Sequence, residues 1–112
     1  MVTEDYINFE TAELLKEKGM NKFCFKHYVQ KNNNDGTSEA VTVCTLQMAM
    51  KWLREKHNIF IEISVDEELD EHGYQWALFD NTTKRIRPYA GWGDTYEQSC
   101  EKAIKYCLEK LI

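Results

Sequence analysis

Asn8 opens a run from Phe9 to Lys18 in which Ala12 and Leu15 fall on one side of a 3.6-residue period, and Gly19 closes it. Asn8 can cap the free amides, Ile7 and Ala12 occupy staple positions, and Gly19 stands where a left-handed residue is wanted, so a first helix is predicted. From Lys22 to Lys31 the period becomes two, with Phe23, Phe25, His27 and Val29 on one side. Asn32-Asn33-Asn34-Asp35-Gly36 is a turn signal, and Ala40 to Cys44 follows as a second short strand with Val41 and Val43 on one face. A hairpin centred on Asn34 would place Cys24 opposite Cys44.

Thr45 can cap a second helix, Leu46 to His57, which Asn58 stops. Its stripe of Leu46, Ala49, Met50 and Leu53 is widened by Met48 and Trp52, as in a helix covered on two sides. Ile59, Ile61, Ile63 and Val65 then alternate with Phe60, Glu62 and Ser64, the clearest strand pattern in the chain. Beyond an acidic loop, Tyr74 to Asp80 reads as a strand and Asn81-Thr82-Thr83 as a turn. Lys84 to Pro88 reads as a short edge strand ended by its proline. Thr95 with Gln98 forms a capping box for a last helix, whose stripe is Cys100, Ala103, Ile104, Cys107, Leu108 and Leu111.

The order is α-β-β-α-β-β-(β)-α. Hairpins make antiparallel sheets and striped helices need a face to cover. The expected fold is α+β, a two-layer sandwich with a mainly antiparallel sheet of four to five strands and about three helices. One domain, residues 1–112, takes the whole chain. Chain length allows about two-thirds of the surface to be buried, enough for one core without covalent staples.

No apolar run approaches the ~18 residues that span a bilayer, and the acidic start lacks the basic and apolar regions of a secretory signal. A cytoplasmic protein that does not engage membranes is expected, with Cys24, Cys44, Cys100 and Cys107 reduced. The net charge of −5 argues against broad nucleic-acid binding. The charge is uneven, however: Glu62 to Glu71 holds six acids and no base, whereas Lys84, Arg85 and Arg87 cluster without an acid.

The cysteines lack the close pairing of structural zinc sites, and Cys100 and Cys107 fall on an apolar stripe, so no metal is expected. No thiol has a recognisable base beside it, His57 suits a helix C-terminus, and His72 belongs to a loop. An enzyme and a cofactor are therefore not expected. The acidic loop lacks the alternating ligands and central glycine of a calcium loop. The candidate binding residues are Arg85, Arg87, Tyr89 and Trp92, around Pro88-Tyr89-Ala90-Gly91-Trp92-Gly93. Aromatic residues and arginine anchor interfaces. The competing reading is that Trp92 plugs one end of the core, at least half buried, while the glycines permit a tight entry into the last helix.

The segment from Thr45 to Ile59 resembles small uncharacterised proteins of phages and mobile elements of gut Bacteroidetes, as does the ending from Tyr96 to Glu109. Those proteins usually have a proline before the threonine, where this chain has Cys44. The resemblance implies an accessory role and carries no further function. Gly93-Asp94-Thr95-Tyr96-Glu97 is similar to the helix start of HicB-type antitoxins, without the Asp-x-Pro-Gly element expected upstream. Two functions are expected to compete. One is a non-enzymatic protein-interaction or accessory protein, self-associating or binding a protein partner. The other is an antitoxin-like nucleic-acid regulator using Lys84, Arg85 and Arg87, with Lys51 and Arg54.

Overall fold

Each helix begins at the polar cap that its sequence offers. The computed structural model describes residues 6–21, 24–65, 73–83 and 85–112, with the backbone alone at 86–89. Helix α1 spans Phe9–Glu17, α2 Leu46–His57 and α3 Tyr96–Tyr106, the last continued by one π-helical turn, Cys107–Leu111. The side chains of Asn8, Thr45 and Thr95 accept the amides of Thr11, Met48 and Gln98 at 2.9, 3.1 and 3.0 Å. Gln98 reaches back to the Asp94 amide at 3.1 Å, one residue before the cap. At the end of α1, Gly19 takes φ 100° and the amides of Gly19 and Met20 bond the carbonyls of Lys16 and Leu15. That double closure brings buried Met20 beside buried Leu15.

The strands are β1 (His27–Asn32), β2 (Ser38–Val43), β3 (Ile59–Val65), β4 (Tyr74–Asp80) and β5 (Ile86–Gly93). The α+β class and the order α-β-β-α-β-β-β-α stand. All strand pairs are antiparallel, but they form two sheets: a β1-β2 ribbon and a three-stranded sheet β3-β4-β5. Helices α2 and α3 cover one face of the larger sheet, whereas α1 packs on β2 and α3. Two lysines tie the ribbon to α1. Lys16 donates to the Thr42 carbonyl and hydroxyl and lies over the Phe25 ring, and Lys31 lies over Phe9 and pairs with Glu13.

Three details differ from the sequence expectation. The first strand starts at His27 rather than Lys22; Lys22 and Phe23 lie outside the described residues, and the Cys24 amide closes a turn on the Asn21 carbonyl. Phe25 is buried, but ahead of the strand. Second, the hairpin pairs His27 with Val43 and Asn32 with Ser38, which centres it on Asp35 and not Asn34. Gly36 at φ 86° and the Asp35 carboxylate, which accepts the Thr37 amide and hydroxyl, set that centre, so Cys24 does not face Cys44 across the ladder. Third, β5 does not end at Pro88 but runs on through Gly93. Ala77 pairs with Ala90 and Phe79 with Ile86, so residues 87–89 bulge opposite Leu78 alone. A bulge on an edge strand is where proline is tolerated. The acidic loop Asp66–Glu71, with His72, lies outside the described residues.

The core gathers one side of every element: Leu15 from α1, Val43 from β2, Leu53 from α2, Ile59 and Leu78 from the sheet, and Cys100, Ile104 and Leu108 from the last helix. Two glycines of β5 allow α3 and the sheet to meet. A Cβ at Gly91 would lie 2.5 Å from the Trp76 indole nitrogen, and one at Gly93 would lie 2.6 Å from the Ser99 hydroxyl. That hydroxyl donates to the Tyr74 carbonyl at 3.0 Å, fastening the start of α3 to β4. On the far side of α3, the Glu101 carboxylate accepts the Asn8 amide at 3.3 Å and so joins α3 to the start of α1. Burial raises the Glu101 pKa above its ordinary value, although Thr11 and the Asn8 amide favour the carboxylate. The Thr11 hydroxyl is buried and makes no hydrogen bond of ordinary geometry among the described residues.

Replacing Gly91 by alanine should displace the Trp76 indole and cost about 1–3 kcal/mol, the range for overpacking. Gly36→Ala meets open space, so its cost should be limited to the backbone strain of positive φ, about 1–2 kcal/mol. Chemical denaturation measures both, and Trp76 emission should move only for Gly91→Ala. For Glu101, a folded pKa raised above the unfolded value means that the folded state holds the proton longer. Stability should therefore fall as pH rises from the ordinary glutamate value of 4.5 through the raised folded value. Glu101→Gln should remove that decline, gaining on the wild type as pH rises in urea midpoints taken from mildly acidic to neutral pH.

Candidate functional site

Strand alternation divides the larger sheet into a covered and an open face. Ile59, Ile61 and Ile63 pair with Asp80, Leu78 and Trp76, and Trp76 pairs with Gly91, all on the helical side. The intervening rows form the outward face: Phe60 with Phe79, Glu62 with Ala77 and Ala90, and Ser64 with Gln75 and Trp92. Phe60 and Phe79 meet edge to face at 6.4 Å. Phe60 keeps 36% and Trp92 40% of their exposure. Among the described residues, no second layer lies over this face.

Trp92 is thus more than half covered but stands outside the core cluster, and Trp76 is the tryptophan that fills the core. The Gly-Trp-Gly spacing explains both, because period two sends the glycines inward and the tryptophan outward. Of the other candidate residues, Arg85 is exposed, with its carbonyl accepting the Asp80 amide at the β4–β5 turn. Arg85 and Trp92 flank opposite ends of β5, roughly 20 Å apart along an extended strand. They are therefore not brought together. Lys84 and the side chains of Arg87 and Tyr89 lie outside the described residues. Lys51 is exposed on α2, on the helical side, with Arg54 half-buried on the same helix.

Phe60 and Phe79 complete the open face, and the sequence reading did not single them out. The signal was present in Phe60, a large apolar residue at an outward position of an otherwise clean alternation. The edge of β5 is partly closed: Lys102 donates to the Trp92 carbonyl at 3.0 Å, and the bulge at 87–89 interrupts the ladder.

The titratable groups are placed structurally. Cys44, Cys100 and Cys107 are fully buried and Cys24 is half-buried, all as free thiols. Burial, and then the neighbouring Cys24, pushes the Cys44 thiol up to about 12, so it does not supply a thiolate near neutrality. His57 packs edge-on to Trp52 at 4.6 Å and His27 packs on Tyr6 at 4.3 Å. Among the described residues, no three His, Cys, Asp or Glu side chains converge as metal ligands, and no helix is long and apolar enough to cross a membrane.

Fold and face together define a small α+β domain with helices on one side of a sheet whose far side no described element covers. Comparison with known proteins adds no relative: no protein-family model, curated protein or solved structure matches the chain.

The two tryptophans should behave differently on truncation. Trp76→Ala should cost about 3–5 kcal/mol, as for large core aromatics, whereas Trp92→Ala should stay below about 2 kcal/mol. Urea denaturation monitored by circular dichroism separates them; equal costs would place Trp92 in the core.

Proposed function

We propose that the chain is a non-enzymatic accessory protein that works by protein contact, with a second copy of itself as the occupant of the open sheet face. The observation that carries this reading is the partial exposure of Phe60, Phe79 and Trp92 on a face without a covering layer. Contiguous exposed apolar surface of this kind marks interaction sites. The arrangement is self-complementary. Small Ala77 and Ala90 separate the phenylalanine row from the Trp92 row. A two-fold axis along the strands, between β4 and β5, would lay Ala77 of each copy over Ala90 of the other and Trp92 over Gln75, closing the pair as a symmetric dimer with Glu62 at the rim.

The face is small. Three strands at about 4.8 Å spacing and seven residues at about 3.3 Å each give roughly 300 Å² in projection, against ~800 Å² per partner in a stable interface. Self-association therefore belongs to the weak, reversible class. Sedimentation velocity should show a monomer–dimer shift at concentrations approaching about 1 mM. Ala90→Glu, a change at an exposed position, should abolish that shift without lowering the thermal midpoint. A wild type that stays monomeric throughout would overturn the reading. Exposed aromatics on a sheet can also stack nucleic-acid bases. Binding of a homopyrimidine single strand at low salt, weakened by Arg85→Ala, would overturn self-association as the function and favour the regulator.

A further inference from the structure

We propose that the cleft between the C-terminal turn of α1 and the outer side of α2 binds a small amphipathic anion, an aromatic or short acyl carboxylate. This inference does not depend on the open sheet face, from which the cleft is separated by the helical layer.

The width of the α2 stripe is the starting point. Leu46, Ala49, Met50 and Leu53 are buried against the sheet and α3. Met48 and Trp52, one step round the helix, turn to the other side, where Met20 and Cys24 oppose them. Those four side chains line a cleft of about 280 Å³. Met48 keeps 40% of its exposure, and Trp52 and Cys24 are half-buried, so Met20 and Cys24 leave this side of α2 partly open. Gly19 borders the same space, and a Cβ placed there would meet nothing within 4 Å.

The volume is just below the range of drug-sized pockets, which fits a ligand on the order of ten non-hydrogen atoms. Sulfur-containing and aromatic walls suit a flat ring or a flexible chain, since methionine adapts its shape and is polarizable. The charge at the mouth selects the headgroup. Among the described residues, Lys51, Glu55 and Lys56 border the cleft, giving two cations to one carboxylate. None of the three makes an ion pair among the described residues. The carbonyls that end α1 would repel an anion, but the Gly19 and Met20 amides already occupy those of Lys16 and Leu15. An apolar body on Met48 and Trp52, with its carboxylate between Lys51 and Lys56, satisfies both halves of the site.

Octanoate and 4-phenylbutyrate are suitable probes, with octanol and 4-phenylbutanol as uncharged counterparts. Cys24 gives a local readout, because the other three thiols are fully buried. Both carboxylates should slow alkylation of Cys24 by iodoacetamide and shift tryptophan emission, and Trp52→Phe should remove the emission change. The alcohols should bind about fivefold more weakly, the scale of a pair of exposed charge contacts. Lys51→Gln with Lys56→Gln, both at exposed positions, should erase that preference while leaving the thermal midpoint in place. Absence of Cys24 protection at millimolar probe would overturn the site. Equal binding of acids and alcohols, or no response to the double lysine variant, would overturn its selectivity for anions.

Discussion

Helix α3 sits on the sheet because β5 carries no side chain where the two meet. Gly91 gives its space to the Trp76 indole and Gly93 gives its space to Ser99. With those positions vacated, α3 can press Cys100, Ala103, Ile104, Cys107 and Leu108 into the core, and the Ser99 hydroxyl can reach the Tyr74 carbonyl. Strand alternation then leaves Trp92 no choice of side. Two inward glycines, required for packing, hold the residue between them on the outward face. The requirement that closes the core thus also sets Trp92 on the exposed face.

Much of this was legible where capping chemistry and periodicity agree. Asn8, Thr45 and Thr95 each mark a helix start, and the extent of α2 and β3 matches the sequence pattern residue for residue. The hairpin register was not legible, because Asn32, Asn33 and Asn34 all tolerate turn geometry. The Asp35 contacts with Thr37 and the positive φ of Gly36 select between registers, and a single step changes which residues face each other. Strand β5 was obscured for a related reason. Proline and glycine read locally as punctuation, yet Pro88 falls in a bulge and the glycines serve a packing need that lies far away in sequence.

The open face was hidden from the sequence because it depends on how three helices are shared among the available surfaces. Stripes show that a helix has something to bury, not which sheet will receive it. Helix α1 is committed to the ribbon, through Lys16 on Thr42 and Phe25 and Lys31 on Phe9. Only α2 and α3 remain for the larger sheet, and both occupy the same face. The unusual width of the α2 stripe was visible, and its second side proved to be the wall of a cleft rather than more core.

The edge of β5 decides how the open face can be used. An unprotected edge strand would let sheets add to one another without limit, an open-ended association. Here Lys102 occupies the Trp92 carbonyl at one end and the bulge around Pro88 breaks the ladder near the other. Lengthening the sheet through β5 is therefore disfavoured at both ends of the strand. Contact through the face meets no such obstacle, and a two-fold pairing of faces uses up the surface it needs. The Glu62 carboxylate, on the outermost strand β3, adds a further restriction. Covering it would bury a charge, which costs far more than an apolar contact of that size returns. The usable contact is consequently centred on β4 and β5, where the small side chains of Ala77 and Ala90 let two faces approach closely.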